Sequence, residues 1–222
     1  MCSLVDNVAM PGVRDRYVAL FRDKWPTERL QYFSDAVFAI AMTLLVLDIE
    51  IPDVQESRLG DALRNALPQV FAFVLSFAVI AATWVAHHRR FEIVRVADRR
   101  LVQLNFALLL VVTFLPFPTA VLSEYGSETP AVVLYAGTVG ALGLIQLVTW
   151  SHARTAGLLK TEIDEATYRY GRRAHVVDPA VFLTSIVVAL VGFPLAAMLT
   201  WLAIPPASWL VRRTADRGGS IG

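Results

Sequence analysis

The chain has 222 residues, of which 56% are hydrophobic and 18% charged. Soluble domains run at about 45–50% apolar and about 25% charged, so this balance, with a mean hydropathy of +0.54, excludes an ordinary soluble enzyme and a disordered chain. A net charge of +1 gives no signal for a nucleic-acid partner, and the single cysteine, Cys2, excludes an intrachain disulfide and a cysteine-based metal centre.

Residues 1–25 carry mixed charges and no apolar segment, so they read as a tail with no cleavable signal peptide. Leu30 to Leu47 is apolar except for Asp35, which predicts a first span holding a buried acid. Charge-free stretches at Ala66–Ala86, Leu101–Ser123 and Thr129–Ser151 each match the ~20 apolar residues that a membrane helix needs. Pro179 to Val211 is uncharged and makes about 50 Å of helix, too long for one crossing of a ~30 Å hydrocarbon core. Gly192-Phe193-Pro194 near its middle is a candidate break into a hairpin.

The loop charges fix the parity. Arg14, Arg16, Arg22, Lys24 and Arg29 precede the first span. Arg89, Arg90, Arg95, Arg99 and Arg100 lie between the second and third. Arg154, Lys160, Arg169, Arg172 and Arg173 follow the fourth, and Arg212, Arg213 and Arg217 close the chain. The alternate loops hold only Arg58 and Arg64, so the positive-inside rule places both termini in the cytoplasm. The expected fold is therefore an all-α integral membrane protein. Six transmembrane helices lie at about 30–51, 67–88, 101–123, 129–152, 175–191 and 194–211. They form one domain over 26–212 between cytoplasmic tails 1–25 and 213–222. The outer loops carry Asp48, Glu50, Asp53, Glu56, Asp61, Glu124 and Glu128, either a rim that concentrates cations or ordinary solvated charge. Ala136, Gly137, Gly140, Ala141 and Gly143 in the fourth span favour close helix packing.

The first span is the most informative. A charge inside a membrane is costly and faces a bundle interior or water. At ~100° per residue, Phe33, Leu44, Leu47 and Ile51 cluster around Ile40, with Val37 and Thr43 on the flanks, while Asp35 lies roughly 140° away. One face is thus apolar with a single threonine, and another carries the acid. Periodicity alone reads the apolar face as lipid contact or bundle packing. The acid reads as part of a structural network with Ser34, Arg29, His87 or Asn105 as partners.

The run Arg29-x-x-x-Phe33-Ser34-Asp35, followed by Ala-Val-Phe-Ala-Ile and by Thr43-Leu44-Leu45-Val46-Leu47, resembles the signature of bacterial members of the transmembrane protein 175 family. These are potassium-permeable channels related to the endosomal and lysosomal potassium channel. The resemblance implies six spans per subunit, a homotetramer in the plasma membrane, and a pore lined by the first span. It also implies no selectivity-filter loop, and none occurs here. It assigns the narrowest ring to Ile40 and further pore layers to Thr43, Leu44 and Leu47, the stripe that helical geometry isolates. It places Arg29, Phe33, Ser34 and Asp35 in a structural network with His87 and Asn105. The expected permeant species are potassium and related monovalent cations, with moderate selectivity, a hydrophobic gate and no prosthetic cofactor. Potassium is expected to be held near Thr43, and the expected partners are a further copy of the chain and membrane lipids.

Trp84, His87 and His88 end the second span. Adjacent histidines on a helix diverge by ~100° and rarely share a metal, so a structural role is expected, with His87 the one to reach the network. His152 and His175 read as interfacial, and Asn105 as an interhelical hydrogen-bonding residue. No hydrolytic triad, phosphate loop or metal cluster occurs at usable spacing, so no enzyme is expected. The rival reading is a proton-coupled or other secondary transporter that titrates Asp35.

Overall fold

The structure, a computed structural model, describes residues 12–14, 26–50, 55–160 and 163–204. Residue 51 of the first predicted span, residues 205–211 of the sixth, most of the N-terminal tail and all of the C-terminal tail lie outside the described residues.

Helix α1 covers Thr27–Leu44 and continues as a 3-10 turn over Leu45–Asp48. No glycine or proline interrupts it, and Glu28 sits in its first turn, where a carboxylate complements the helix dipole. A short helix, α2 (Leu59–Asn65), leads into α3 (Leu67–Ile93). Pro68 opens α3, where its missing N–H costs nothing. Helix α4 (Arg99–Phe114) is capped by Asp98, whose carboxylate accepts from the Leu101 amide at 2.7 Å. Pro116 interrupts this span after Leu115, and the chain resumes as α5 (Pro116–Tyr125). Helix α6 covers Thr129–Thr155.

Helix α7 covers Glu165–Leu190 and is capped by Asp164, which accepts from the Thr167 amide. It begins ten residues before the predicted span at 175 because its first three turns carry Arg169, Arg172 and Arg173, which a search for apolar runs passes over. The predicted break falls where expected. Gly192 adopts φ 101°, a conformation open to glycine, and Pro194 starts α8 (Pro194–Thr200), followed by a 3-10 turn over Trp201–Ala203.

Among the described residues, five helical stretches are long and apolar enough to cross a membrane: Thr27–Asp48, Leu67–Ile93, Arg99–Tyr125, Thr129–Thr155 and Thr167–Leu190. Pro194–Ala203 is apolar but shorter. The described residues contain no strand; an isolated antiparallel bridge joins Val94 and Leu159. That bridge joins the loop after α3 to the loop after α6, through Arg95 N to Leu158 O and Lys160 N to Ile93 O, both 2.8 Å. The Asp98 carboxylate strengthens the same end by pairing with His152 at 2.8 Å.

Helix α1 packs on α3 and α4, α6 packs on α4 and α7, and α8 folds back on α7. The main core gathers Phe38, Leu45, Ile80, Leu108, Val112, Tyr135, Leu142, Phe182 and Trp201. A second cluster at the basic end gathers Phe91, Val94, Ala97, Leu101, Ala153 and Leu158. Lipid is as apolar as leucine, so close packing and buried polar bonds hold such helices together rather than hydrophobic transfer. Ser76 supplies one of these bonds, meeting the Thr119 hydroxyl at 2.7 Å and the Tyr135 hydroxyl at 3.1 Å, which joins α3, α5 and α6.

Candidate functional site

Helix α1 has two faces that the protomer treats differently. Thr27, Ser34, Phe38, Ala41 and Leu45 are buried against α3 and α4, at the i, i+3, i+4 and i+7 intervals of one helical stripe. The opposite stripe is left largely exposed by the described residues. Ile40 is 58% exposed, Leu44 43% and Leu47 69%, and Thr43 is exposed among them. In the 3-10 turn that ends α1, residues three apart eclipse, which keeps Leu44 and Leu47 on one line. Among the described residues the four predicted residues thus share one exposed surface.

Thr43 gives that surface its only hydroxyl. Its Oγ1 donates to the Ile40 carbonyl at 2.8 Å. With its proton turned back onto the helix, the oxygen presents lone pairs outward, the orientation that suits a cation rather than an anion.

The buried face carries the polar anchor. Asn105 of α4 sits at its centre, donating through Nδ2 to Ser34 Oγ at 3.0 Å and standing 2.7 Å from His87 Nε2 through Oδ1. Ser34 Oγ in turn donates to the Leu30 carbonyl at 2.8 Å. Since Asn105 Oδ1 only accepts, His87 carries its proton on Nε2. Its ring is clamped between Phe91, with centroids 4.5 Å apart, and Phe38, at 5.5 Å. Three helices are thus pinned at one level by Ser34, Asn105 and His87, all buried.

Two predicted members stand elsewhere. Asp35 makes none of these bonds; it accepts from the indole Nε1 of Trp84 at 2.8 Å, because consecutive residues on α1 point ~100° apart. The partners anticipated for the acid, Ser34, Arg29, His87 and Asn105, are replaced by Trp84, which the sequence presents only as a residue at the end of the second span. The signal was there in outline, since Trp84 precedes His88 by one helical turn and the two rings stack at 5.3 Å. His88 Nδ1 meets Gln31 Nε2 at 2.9 Å, a second polar link from α3 to α1. Arg29 is exposed on the Ile40 side of α1 and makes no hydrogen bond or ion pair with the described residues, so the protomer does not draw it into the network. Phe33 is half exposed on the same side and meets Phe106 of α4 with ring centroids 5.8 Å apart.

The remaining histidines differ in setting. His152 pairs with Asp98, and His175 is half-buried beside Trp150, with centroids 6.1 Å apart. Among the described residues no three of His, Cys, Asp or Glu converge as metal ligands.

Comparison with known proteins gives this geometry a context. A family model described as the endosomal/lysosomal potassium channel TMEM175 matches residues 29–116, which include α1, α3 and α4. A protein of Chamaesiphon minutus named as a potassium channel is 38% identical over 192 residues, covering 80% of this chain and 88% of that one. A protein of Streptomyces collinus, also named as a potassium channel, is 37% identical over 185 residues, covering 80% and 84%. The crystal structure of a Chamaesiphon minutus TMEM175 homologue, described as a lysosomal potassium-selective channel homologue, superposes with a TM-score of 0.67 at 33% identity. It covers 86% of this chain and 97% of that one.

Proposed function

This chain belongs to the TMEM175 family and is a potassium channel, and we propose that its conduction path is walled by the Ile40 face of α1. Four copies assemble around a central axis in the cell membrane, each contributing six spans with both termini in the cytoplasm. Ile40 forms the narrowest ring, with Thr43, Leu44 and Leu47 as successive layers above it.

One observation carries this reading. The stripe from Ile40 to Leu47 is exposed over its length while the opposite face of the same helix is fully packed. The Ser34, Asn105 and His87 bonds fix the rotation of α1 about its axis, so which face is presented is set by the fold and not by the stripe itself.

A ring of branched apolar side chains offers an ion no ligands. An ion crosses it by keeping or partly shedding its water, and a ring that dewets becomes a closed gate. Potassium gives up water more readily than sodium, so a partial-dehydration barrier favours potassium to a moderate degree and admits larger monovalent cations. Outward lone pairs on Thr43 return some ligation just beyond the barrier. Arg29 and Phe33, on the same side of α1 toward its start, meet neighbouring copies at the inner mouth. Asp35, held by Trp84 between α1 and α3, acts in structure and not as a titrating carrier site.

Bilayer recording of the purified chain tests the reading. The expected result is unitary potassium current steps that survive Asp35→Asn, with Ile40→Asn lowering the potassium-to-sodium permeability ratio. Saturable, proton-driven flux abolished by Asp35→Asn would instead favour a secondary transporter, and an unchanged ratio in Ile40→Asn would remove the ring assignment.

A further inference from the structure

The exposed arc of α1 extends beyond the Ile40 stripe. At ~100° per residue, Glu28, Tyr32, Ala36 and Ala39 fall about 40–120° to one side of Ile40, toward the flank where Asp35 meets Trp84. All four are exposed, Tyr32 to 71%. A second exposed row lies on the other flank. Arg99, Gln103, Phe106 and Leu110 of α4 are all exposed, Leu110 to 70%. They stand about 100–160° round their helix from Asn105, which faces α1. Phe106 joins this row to α1 through Phe33, on the side of Ile40 away from Tyr32.

The two rows match in depth. Helices α1 and α4 both run antiparallel to α3, and the Ser34–Asn105 bond sets their registers level. With the same rise per residue in both helices, Glu28 and Arg99 each lie six residues before that bond, Tyr32 and Gln103 two before it, and Ala39 and Leu110 five beyond it. Rotation about an axis along the membrane normal leaves depth unchanged, so in a ring of copies each member of one row stands level with its counterpart on the next copy. The counterparts are complementary. Glu28 is an anion and Arg99 a cation, and neither forms an ion pair with the described residues. Tyr32 and Gln103 both end in hydrogen-bonding groups. Ala36 and Ala39 leave a shallow recess at the depth where Phe106 and Leu110 project, and small residues let a neighbouring helix come close in a membrane. Acyl chains would cover either row alone but give no reason for charge and size to agree in order.

Resting on the axial assembly proposed above, we infer that the Glu28–Ala39 flank of α1 seats the Arg99–Leu110 row of α4 from the next copy of the chain. One flank of each copy meets the other flank of its neighbour, a head-to-tail contact that closes into a ring. The Glu28–Arg99 pair sets the register at the cytoplasmic end, since opposed charges across an interface fix orientation and like charges reject it.

The test uses the purified full chain in detergent, with mass read by light scattering. Glu28→Arg and Arg99→Glu are each expected to shift the chain to smaller oligomers, and the two reversals together to restore the wild-type mass. In a Cys2→Ser background, Ala39→Cys combined with Leu110→Cys is expected to give covalent multimers on oxidation, while either cysteine alone, or Ala39→Cys with Val187→Cys on the exposed side of α7, stays monomeric on a non-reducing gel. This second measurement decides the matter should a charge reversal not fold. A doubly reversed chain no better assembled than the single variants overturns the proposal. So does an oxidised Ala39→Cys, Leu110→Cys chain that stays monomeric on the gel while light scattering shows an intact oligomer; labelling of Leu110→Cys by a lipid-soluble thiol reagent then marks the row as lipid-facing. Potassium current that persists with those results leaves the Ile40 pore standing and removes only this contact, whereas a wild-type chain that is monomeric and carries no current removes both.

Discussion

Adjacent residues in the Phe33-Ser34-Asp35 run separate into three roles because a helix turns by ~100° at each step. Phe33 lies on the open side of α1, Ser34 faces Asn105 in the interior, and Asp35 meets Trp84 at the flank. The bond from Trp84 to a carboxylate is of the charge-assisted kind, worth about 1.5–3 kcal/mol. Asp35→Ala and Trp84→Phe are therefore expected to lower the yield of assembled channel together and by similar amounts, with the permeability ratio of the surviving channels unchanged. Size-exclusion profiles followed by bilayer recording measure both quantities; normal assembly with altered selectivity in either variant contradicts the structural role. Asn105→Leu leaves the His87 Nε2 donor without its acceptor in a buried site. The expected loss is about 1–3 kcal/mol of unfolding free energy, read as a lower denaturant midpoint in detergent. A midpoint equal to wild type would show that His87 finds another partner.

At the level of elements, α6 and α7 approach closely where Gly143 meets Pro179. A Cβ on Gly143 would stand 2.7 Å from the proline Cδ, part of a rigid ring that cannot swing aside. On Gly137, six residues earlier and about 120° round the same helix, an added Cβ meets nothing within 4 Å. Gly143→Ala is expected to destabilise by about 1–3 kcal/mol through overpacking. Gly137→Ala is expected to be neutral or slightly stabilising, since alanine is the better helix former. Equal thermal shifts in the two variants would contradict the close approach.

The sequence displays these small residues but not which of the glycines is indispensable, because that depends on the rotation and register of α7 against α6. Helix starts show the same division. Charge-free stretches coincide with α3, α4 and α6, while the helix that holds the fifth predicted span begins ten residues before it, because arginine-bearing turns are helical without being apolar. Pro116 interrupts the third span, a local rule the sequence states openly but that a count of uncharged residues ignores.

Across the whole molecule, helical periodicity alone was enough to isolate Ile40, Thr43, Leu44 and Leu47 as one stripe and to set Asp35 apart from it. Periodicity does not say what an apolar stripe faces, since lipid, a neighbouring helix and a dewetting pore all accept the same residues. Among the described residues the fold leaves the stripe largely uncovered, because the packed side of α1 is the other one. The pairings of Trp84 with Asp35 and of Gln31 with His88 are not legible in the sequence, because each partner comes from a different helix at a rotation no single-span reading contains. Arg29 presents the converse: the described residues leave it exposed on the side of α1 that the proposed assembly turns toward other copies. Arg29→Ala is accordingly expected to shift the purified chain toward smaller oligomers in light scattering while leaving helix content unchanged. An unaltered oligomer distribution would mean that Arg29 does not bridge copies.

The most direct test of the pore assignment is thiol accessibility under voltage, made clean by a chain whose lone cysteine is Cys2. In a Cys2→Ser background, single cysteines are placed at Ile40, Leu44 and Leu47 and, on the packed face, at Ala41 and Leu45. A water-soluble thiol reagent is then applied during potassium current. Block at the first three positions, with current unaffected at the other two, is the predicted outcome. Current that persists at Ile40, Leu44 and Leu47, or that is lost only at Ala41 and Leu45, contradicts a pore lined by this face of α1.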